Sequence, residues 1–156
     1  MKQITKNIFI GNSSDARNVR LLHENKITSI LNCAFDLDLK LPIEDDTILR
    51  YKVGLIDGPG NDFDQFKAAV IVLGTLIQYD GRVFVHCHEG RSRSVSVVAA
   101  MLGIGTKETV TEVIEYIRNK GIDVNIKDAL MEFLERHKNI KGYKYKNWQE
   151  NDKTEA

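Results

Sequence analysis

A short apolar run, Val83-Phe84-Val85, leads into His86-Cys87-His88-Glu89-Gly90-Arg91-Ser92-Arg93-Ser94, and that string opens onto an alanine- and valine-rich stretch over residues 95–101. This is a strand, a tight loop and a helix start in immediate succession, and such a junction belongs in an α/β arrangement. A helix start carries backbone N–H groups that no preceding turn can engage, and the helix dipole favours negative charge there. A thiol held at such a point gives up its proton more readily, and the thiolate is the nucleophilic form. Arg93 adds a planar guanidinium that suits two oxygens of a phosphate. Cys87 therefore reads as a nucleophile, the loop residues His88, Glu89, Gly90, Arg91 and Ser92 as an anion cradle, and Arg93 as its clamp.

The rest of the chain fits one domain built around a central, mainly parallel sheet of about five strands flanked by helices. Its 156 residues suffice for a single substantial core. Residues 3–5 and 8–10 read as short strands around a Lys6-Asn7 turn. Ser13, Ser14 or Asp15 offers an N-cap to a short helix with Val19 and Leu22. Residues 27–34 and 48–56 read as strands, separated by an acidic loop over 36–47 that contains Pro42. The cluster Asp57-Gly58-Pro59-Gly60-Asn61-Asp62 breaks the chain before a helix whose inward stripe is Phe63, Phe66, Val70, Leu73 and Ile77. Thr106 is a plausible cap for a helix with Val110, Val113, Ile114 and Ile117 inward, stopped at Gly121. A last helix carries Ala129, Leu130, Phe133 and Leu134. Beyond it, Tyr143, Tyr145 and Trp148 punctuate a polar tail.

Bulk properties narrow the function classes. Basic and acidic side chains balance at 22 each, so net charge gives no argument for a nucleic-acid partner. No apolar run approaches membrane-spanning length, and Met1-Lys2-Gln3-Ile4 carries no signal-peptide core, so the expectation is a soluble, cytoplasmic protein. Cys33 and Cys87 do not make a disulfide framework, and a reducing compartment preserves a reactive thiol. Cys33, in an apolar strand, reads as buried and inert. His86-Cys87-His88 does not read as a metal site, because neighbouring strand residues face opposite ways and no second ligand cluster is visible. Neither metal nor cofactor is expected.

The string His-Cys-x-x-Gly-x-x-Arg-Ser resembles the signature of the cysteine-dependent protein tyrosine phosphatase superfamily, and its Ser92-Arg93-Ser94 ending is similar to the small, atypical dual-specificity branch. Residues 4–11 look like the opening hairpin of that branch, residues 27–32 like its second core segment, and Val124-Asn125 like the entry to its last helix, without the usual proline. The resemblance covers residues 1–138, which sets a catalytic domain over 1–139 and a tail over 140–156. It implies a phosphoprotein phosphatase acting on phosphotyrosine and phosphoserine/threonine through a cysteinyl-phosphate. A phospholipid or other small phosphomonoester is the alternative substrate, and a rhodanese-like sulfurtransferase the weaker rival. Arg93 falls one position too late for that rival.

The remaining roles combine chemistry and resemblance. Leaving-group oxygen needs a proton that the signature loop does not supply. Asp57 ends a strand and begins the Gly58-Pro59-Gly60 loop, taken as mobile, and it matches the family's acid; Asp62 and Asp64 compete but sit where carboxylates favour a helix start. The resemblance assigns Ser94 to the sulfur as it departs in the second step, with N-capping as the plainer role. His86 faces away from Cys87 in a regular strand and is expected to order the loop, not to act as its base.

Overall fold

The computed structural model describes residues 1–38 and 47–140. Five strands and six helices occur among them: β1 (Lys2–Gln3), β2 (Ile8–Gly11), α1 (Ser13–Arg17), α2 (Val19–Glu24), β3 (Ser29–Ala34), β4 (Leu49–Leu55), α3 (Phe63–Gln78), β5 (Val83–His86), α4 (Arg93–Gly103), α5 (Val110–Asn119) and α6 (Asp128–Lys138). The strands form one sheet in the order β1-β2-β5-β3-β4, parallel throughout except for β1 against β2. This is the expected α/β domain.

The strand period of two splits the core. Val83 and Val85 of β5 join Ile8, Ile10, Leu31 and Cys33 in the larger cluster, beneath α3 to α6. Phe84 points the other way, into a smaller cluster with Phe9, Ile30, Ala16 and Leu22 beneath α1 and α2. β5 lies between β2 and β3, and the connections after β2 and β5 leave to opposite faces. A crevice therefore opens at the carboxyl end of β5, where open α/β sheets bind their ligands. Helix α4 is buried along its whole length, which its run of valine, alanine and leucine permits on every side. No helix among the described residues is long and apolar enough to cross a membrane.

The structure revises several local expectations. The first helix is two, broken at Asn18, and its cap is Asn12, not Ser13, Ser14 or Asp15: Asn12 Oδ1 accepts from the Asp15 N–H at 2.9 Å while Asp15 accepts from the Asn12 N–H at 3.1 Å. Asn18 then caps α2 by accepting from the Leu21 N–H. Thr106 does not start α5; its hydroxyl donates to the Gly103 carbonyl at 3.1 Å and closes the end of α4. The cap is Thr109, paired reciprocally with Glu112, a Thr-x-x-Glu box that the sequence spells out. Pro42, most of the acidic 36–47 loop, Tyr143, Tyr145 and Trp148 lie outside the described residues.

Candidate active site

β5 delivers His86 and Cys87 to opposite sides of the sheet, as alternation requires. His86 is 1% exposed, and its ring stacks on Phe84 with centroids 5.4 Å apart. Its Nδ1 lies 3.2 Å from the Cys87 carbonyl, which can only accept, so that nitrogen carries the proton. Burial pushes the imidazole down to about 4, leaving it neutral near pH 7. Cys87 is 3% exposed and packs with Ala34 and Leu37. Its Sγ lies 3.2 Å from the Ser94 hydroxyl. Ser94, fully buried in the first turn of α4, is thus brought to the sulfur; the N-cap position belongs to Ser92.

The loop between them has an uneven hydrogen-bond inventory. Three of its carbonyls are engaged: His88 O accepts from the Ser13 N–H at 2.9 Å, Arg91 O from the Asn125 N–H at 2.9 Å, and Ser92 O from both the N–H and the hydroxyl of Ser96. Its donors are not. Among the described residues, no N–H from His88 to Arg93 donates to a protein acceptor. Ser92 supplies no side-chain cap either, since its hydroxyl accepts from the Lys127 N–H at 3.2 Å. The turn depends on Gly90, whose φ is 72° and where a Cβ would stand 2.5 Å from the Gly11 carbonyl oxygen.

Arg93 is buried, with Nη1 donating to Asp36 at 2.8 Å and to the Leu55 carbonyl at 3.0 Å. Those two bonds fix one edge of the guanidinium and leave the rest of the fork for a ligand. The hydrogen bond from Arg93 holds the Asp36 carboxyl below its usual range, although Asp36 itself is 60% exposed. Its second oxygen lies 3.6 Å from His88 Nε2. The sequence reading passed over Asp36, because within an acid-rich loop nothing in its spacing distinguishes it. The Arg91 side chain is held by Asp123 at 3.0 Å and Glu89 at 3.5 Å, with Nε donating to the Asp123 carbonyl, while its backbone N–H is among the open donors of the loop.

A cleft of about 200 Å³ joins these parts; Asp57, Cys87, Arg93, Asn125 and Lys127 line it together with the loop. Asp57 is thus placed at the same cleft as Cys87. Its rivals are employed elsewhere: Asp62 caps α3 by accepting from the Asp64 N–H at 3.1 Å, and Asp64 pairs with Lys67 at 3.0 Å. The loop taken as mobile carries a brace. Asn61 accepts from the Ile56 N–H at 2.7 Å and donates to the carbonyls of Ile56 and Gly58. Cys33 is fully buried; desolvation, then the nearby Cys87 charge, pushes its thiol far up.

The mainly parallel sheet thus presents a buried cysteine and a buried arginine on one turn whose amides are open among the described residues. The chain belongs to the family described as dual specificity phosphatase, catalytic domain, whose model matches residues 8–140. It is 32% identical over 103 residues to dual specificity protein phosphatase 1B of Arabidopsis thaliana, covering 65% of this chain and 60% of that protein. To human dual specificity protein phosphatase 21 it is 31% identical over 101 residues, covering 64% and 52%. A probable rhodanese domain-containing dual specificity protein phosphatase of Dictyostelium discoideum is 29% identical over 119 residues, 76% of this chain but only 24% of that one. The chain thus spans between a quarter and three fifths of these relatives. The DUSP15 crystal structure shares the fold, with a TM-score of 0.77 at 22% identity over 99% of this chain and 93% of that one. Human DUSP28 does so too, with 0.77 at 16% identity over 88% and 95%.

Proposed function

We propose that the chain is a cysteine-dependent phosphatase of phosphorylated proteins, acting on phosphotyrosine and phosphoserine/threonine monoesters. The observation that carries this reading is the run of N–H groups from His88 to Arg93, which have no protein acceptor among the described residues and lie beside a cysteine and an arginine. In the first step the Cys87 thiolate attacks phosphorus, the ester P–O bond breaks, and Asp57 passes its proton to the departing oxygen. The loop amides and Arg93 hold the equatorial oxygens as charge spreads over them. Water then attacks the cysteinyl-phosphate. Its proton goes to Asp57, the S–P bond breaks, and Ser94 donates to the returning sulfur at the contact described above. His86 supports this machinery by holding the Cys87 carbonyl. The two free, buried cysteines suit a reducing, cytoplasmic setting.

Carboxylates near the cleft, Asp36, Glu89 and Asp123, weigh against polyanionic phospholipid headgroups. The test is phosphate release from phosphotyrosyl and phosphothreonyl peptides and from phosphoinositide and phosphatidylglycerophosphate vesicles, with Cys87→Ser as the blank. Peptide turnover is expected, together with a phosphate adduct on Cys87 after rapid denaturing quench. Turnover that survives in Cys87→Ser would refute the nucleophile; a preference of more than tenfold for either lipid would refute the substrate class.

A further inference from the structure

We infer that Lys127 is a specificity-determining residue of this cleft, selecting phosphoprotein sites that carry an acidic side chain beside the phosphorylated residue. The inference rests on the phosphatase reading above and deepens it. Lys127 is the N-cap residue of α6, makes no side-chain cap, and stands where the helix dipole is positive. A serine, aspartate or asparagine suits that position, and the other described helices of ten or more residues outside the site, α3 and α5, use Asp62 and Thr109 there. A local choice that opposes the helix it starts is expected where a site demands it.

The surroundings say what that demand is. The Lys127 N–H bonds to Ser92 Oγ and the Asn125 N–H to the Arg91 carbonyl, so two bonds fix this stretch of backbone against the loop. The Lys127 side chain lines the cleft that holds Cys87 and Arg93. Arg91 is neutralised by Glu89 and Asp123, and Arg93 is partly neutralised by Asp36. Among the described residues the Lys127 ammonium has no ion pair or hydrogen bond. It is the cation of this cleft left to meet charge outside the scissile phosphate. Asp57 and Glu89 also line the cleft, and Asp36 and Asp123 pair with its arginines, so attraction for an incoming carboxylate is confined to the Lys127 flank of the bound residue.

The experiment uses phosphotyrosyl peptides identical except for one neighbour, Glu, Gln or Lys, placed on either side. Both kcat/KM with the active protein and Kd with Cys87→Ser are measured at low and high salt. A preference for Glu over Gln of about three- to fivefold is expected at one flank, the size typical of a solvent-reachable charge pair, and it should shrink with salt. In Lys127→Met the ratio should fall to one, and in Lys127→Glu it should invert in favour of the Lys peptide. Ratios within each variant are compared, so a general loss of activity does not mimic the effect. Equal Glu and Gln constants, peptides that fail to bind, or a preference unchanged in Lys127→Glu each overturn the inference. A Kd preference without turnover of any peptide would instead keep the selectivity and remove the phosphatase reading.

Discussion

The starts of α4 and α5 are built from similar residues and do opposite things. At α5, Thr109 and Glu112 bond reciprocally, so side chains answer both the N3 and the N-cap backbone N–H groups. At α4, Ser92 has the right hydroxyl but turns it to the Lys127 N–H, and the amides before and within the first turn stay open. The closed end has only to hold a helix in place. The open end keeps its donors unpaired among the described residues, and the fold compensates by engaging the His88, Arg91 and Ser92 carbonyls and by burying α4 completely. Among the described helices of ten or more residues, the two that start without a side-chain cap, α4 and α6, both start on the Cys87 cleft, whereas α3 and α5 are capped.

Substitutions at the two ends should separate these purposes. The largest effect is expected from Arg93→Lys, which leaves the open end its amides but replaces a fork by a point charge. Turnover of phosphopeptide should drop roughly a hundredfold, equivalent to about 3 kcal/mol of transition-state stabilisation, with the circular dichroism spectrum unchanged. Near-normal kinetics would remove the clamp. Acid provides the next test, because the open end hangs from a strand that finishes in buried, neutral His86. Its folded value near 4 lies below the unfolded 6.5, so the unfolded chain binds the extra proton. Stability should therefore fall as pH drops from 6.5 towards 4, by up to about 3 kcal/mol from this group, and level off below that. Burial lowers His137 in the same direction, so His86→Asn should reduce the slope of urea-unfolding free energy against pH, not abolish it. An unchanged slope would show that His86 is not held neutral.

Gly90→Ala attacks the open loop itself, forcing a side chain into a positive-φ position against the Gly11 carbonyl. A loss of about 2 kcal/mol is expected in urea unfolding, together with weakened vanadate inhibition. The smallest effect belongs to the closed end. Thr109→Ala should cost about 1 kcal/mol of stability and leave kcat/KM alone. If it slowed turnover as much as Gly90→Ala, the division between the two helix ends would not hold.

Much of this was legible in the residues. The strand–loop–helix string brought Cys87, Arg93 and Ser94 to one place, because all three are local to a single turn. The strands and the inward stripe of α3 followed from periodicity, with Phe63, Phe66, Val70 and Leu73 buried as read. What escaped was nonlocal. Asp36 reaches Arg93 across 57 positions, and only the parallel pairing of β3 with β5 brings it there. Arg91 was read only as part of the loop because Asp123, 32 positions away, is invisible to a local reading. Asn61 was legible only as a turn former, although its amide closes the loop next to Asp57. The Thr109 box was a plain local signal, passed over in favour of an earlier threonine.

The Leu55 carbonyl accepts from the Phe35 N–H and from Arg93 alike. One oxygen at the end of an edge strand is therefore a shared anchor, from which the turn bearing Asp36, the guanidinium and, two residues on, Asp57 all hang. A shift of that strand end would move Asp57 and the Arg93 guanidinium in the same stroke, which ties the two sides of the cleft to a single mechanical point.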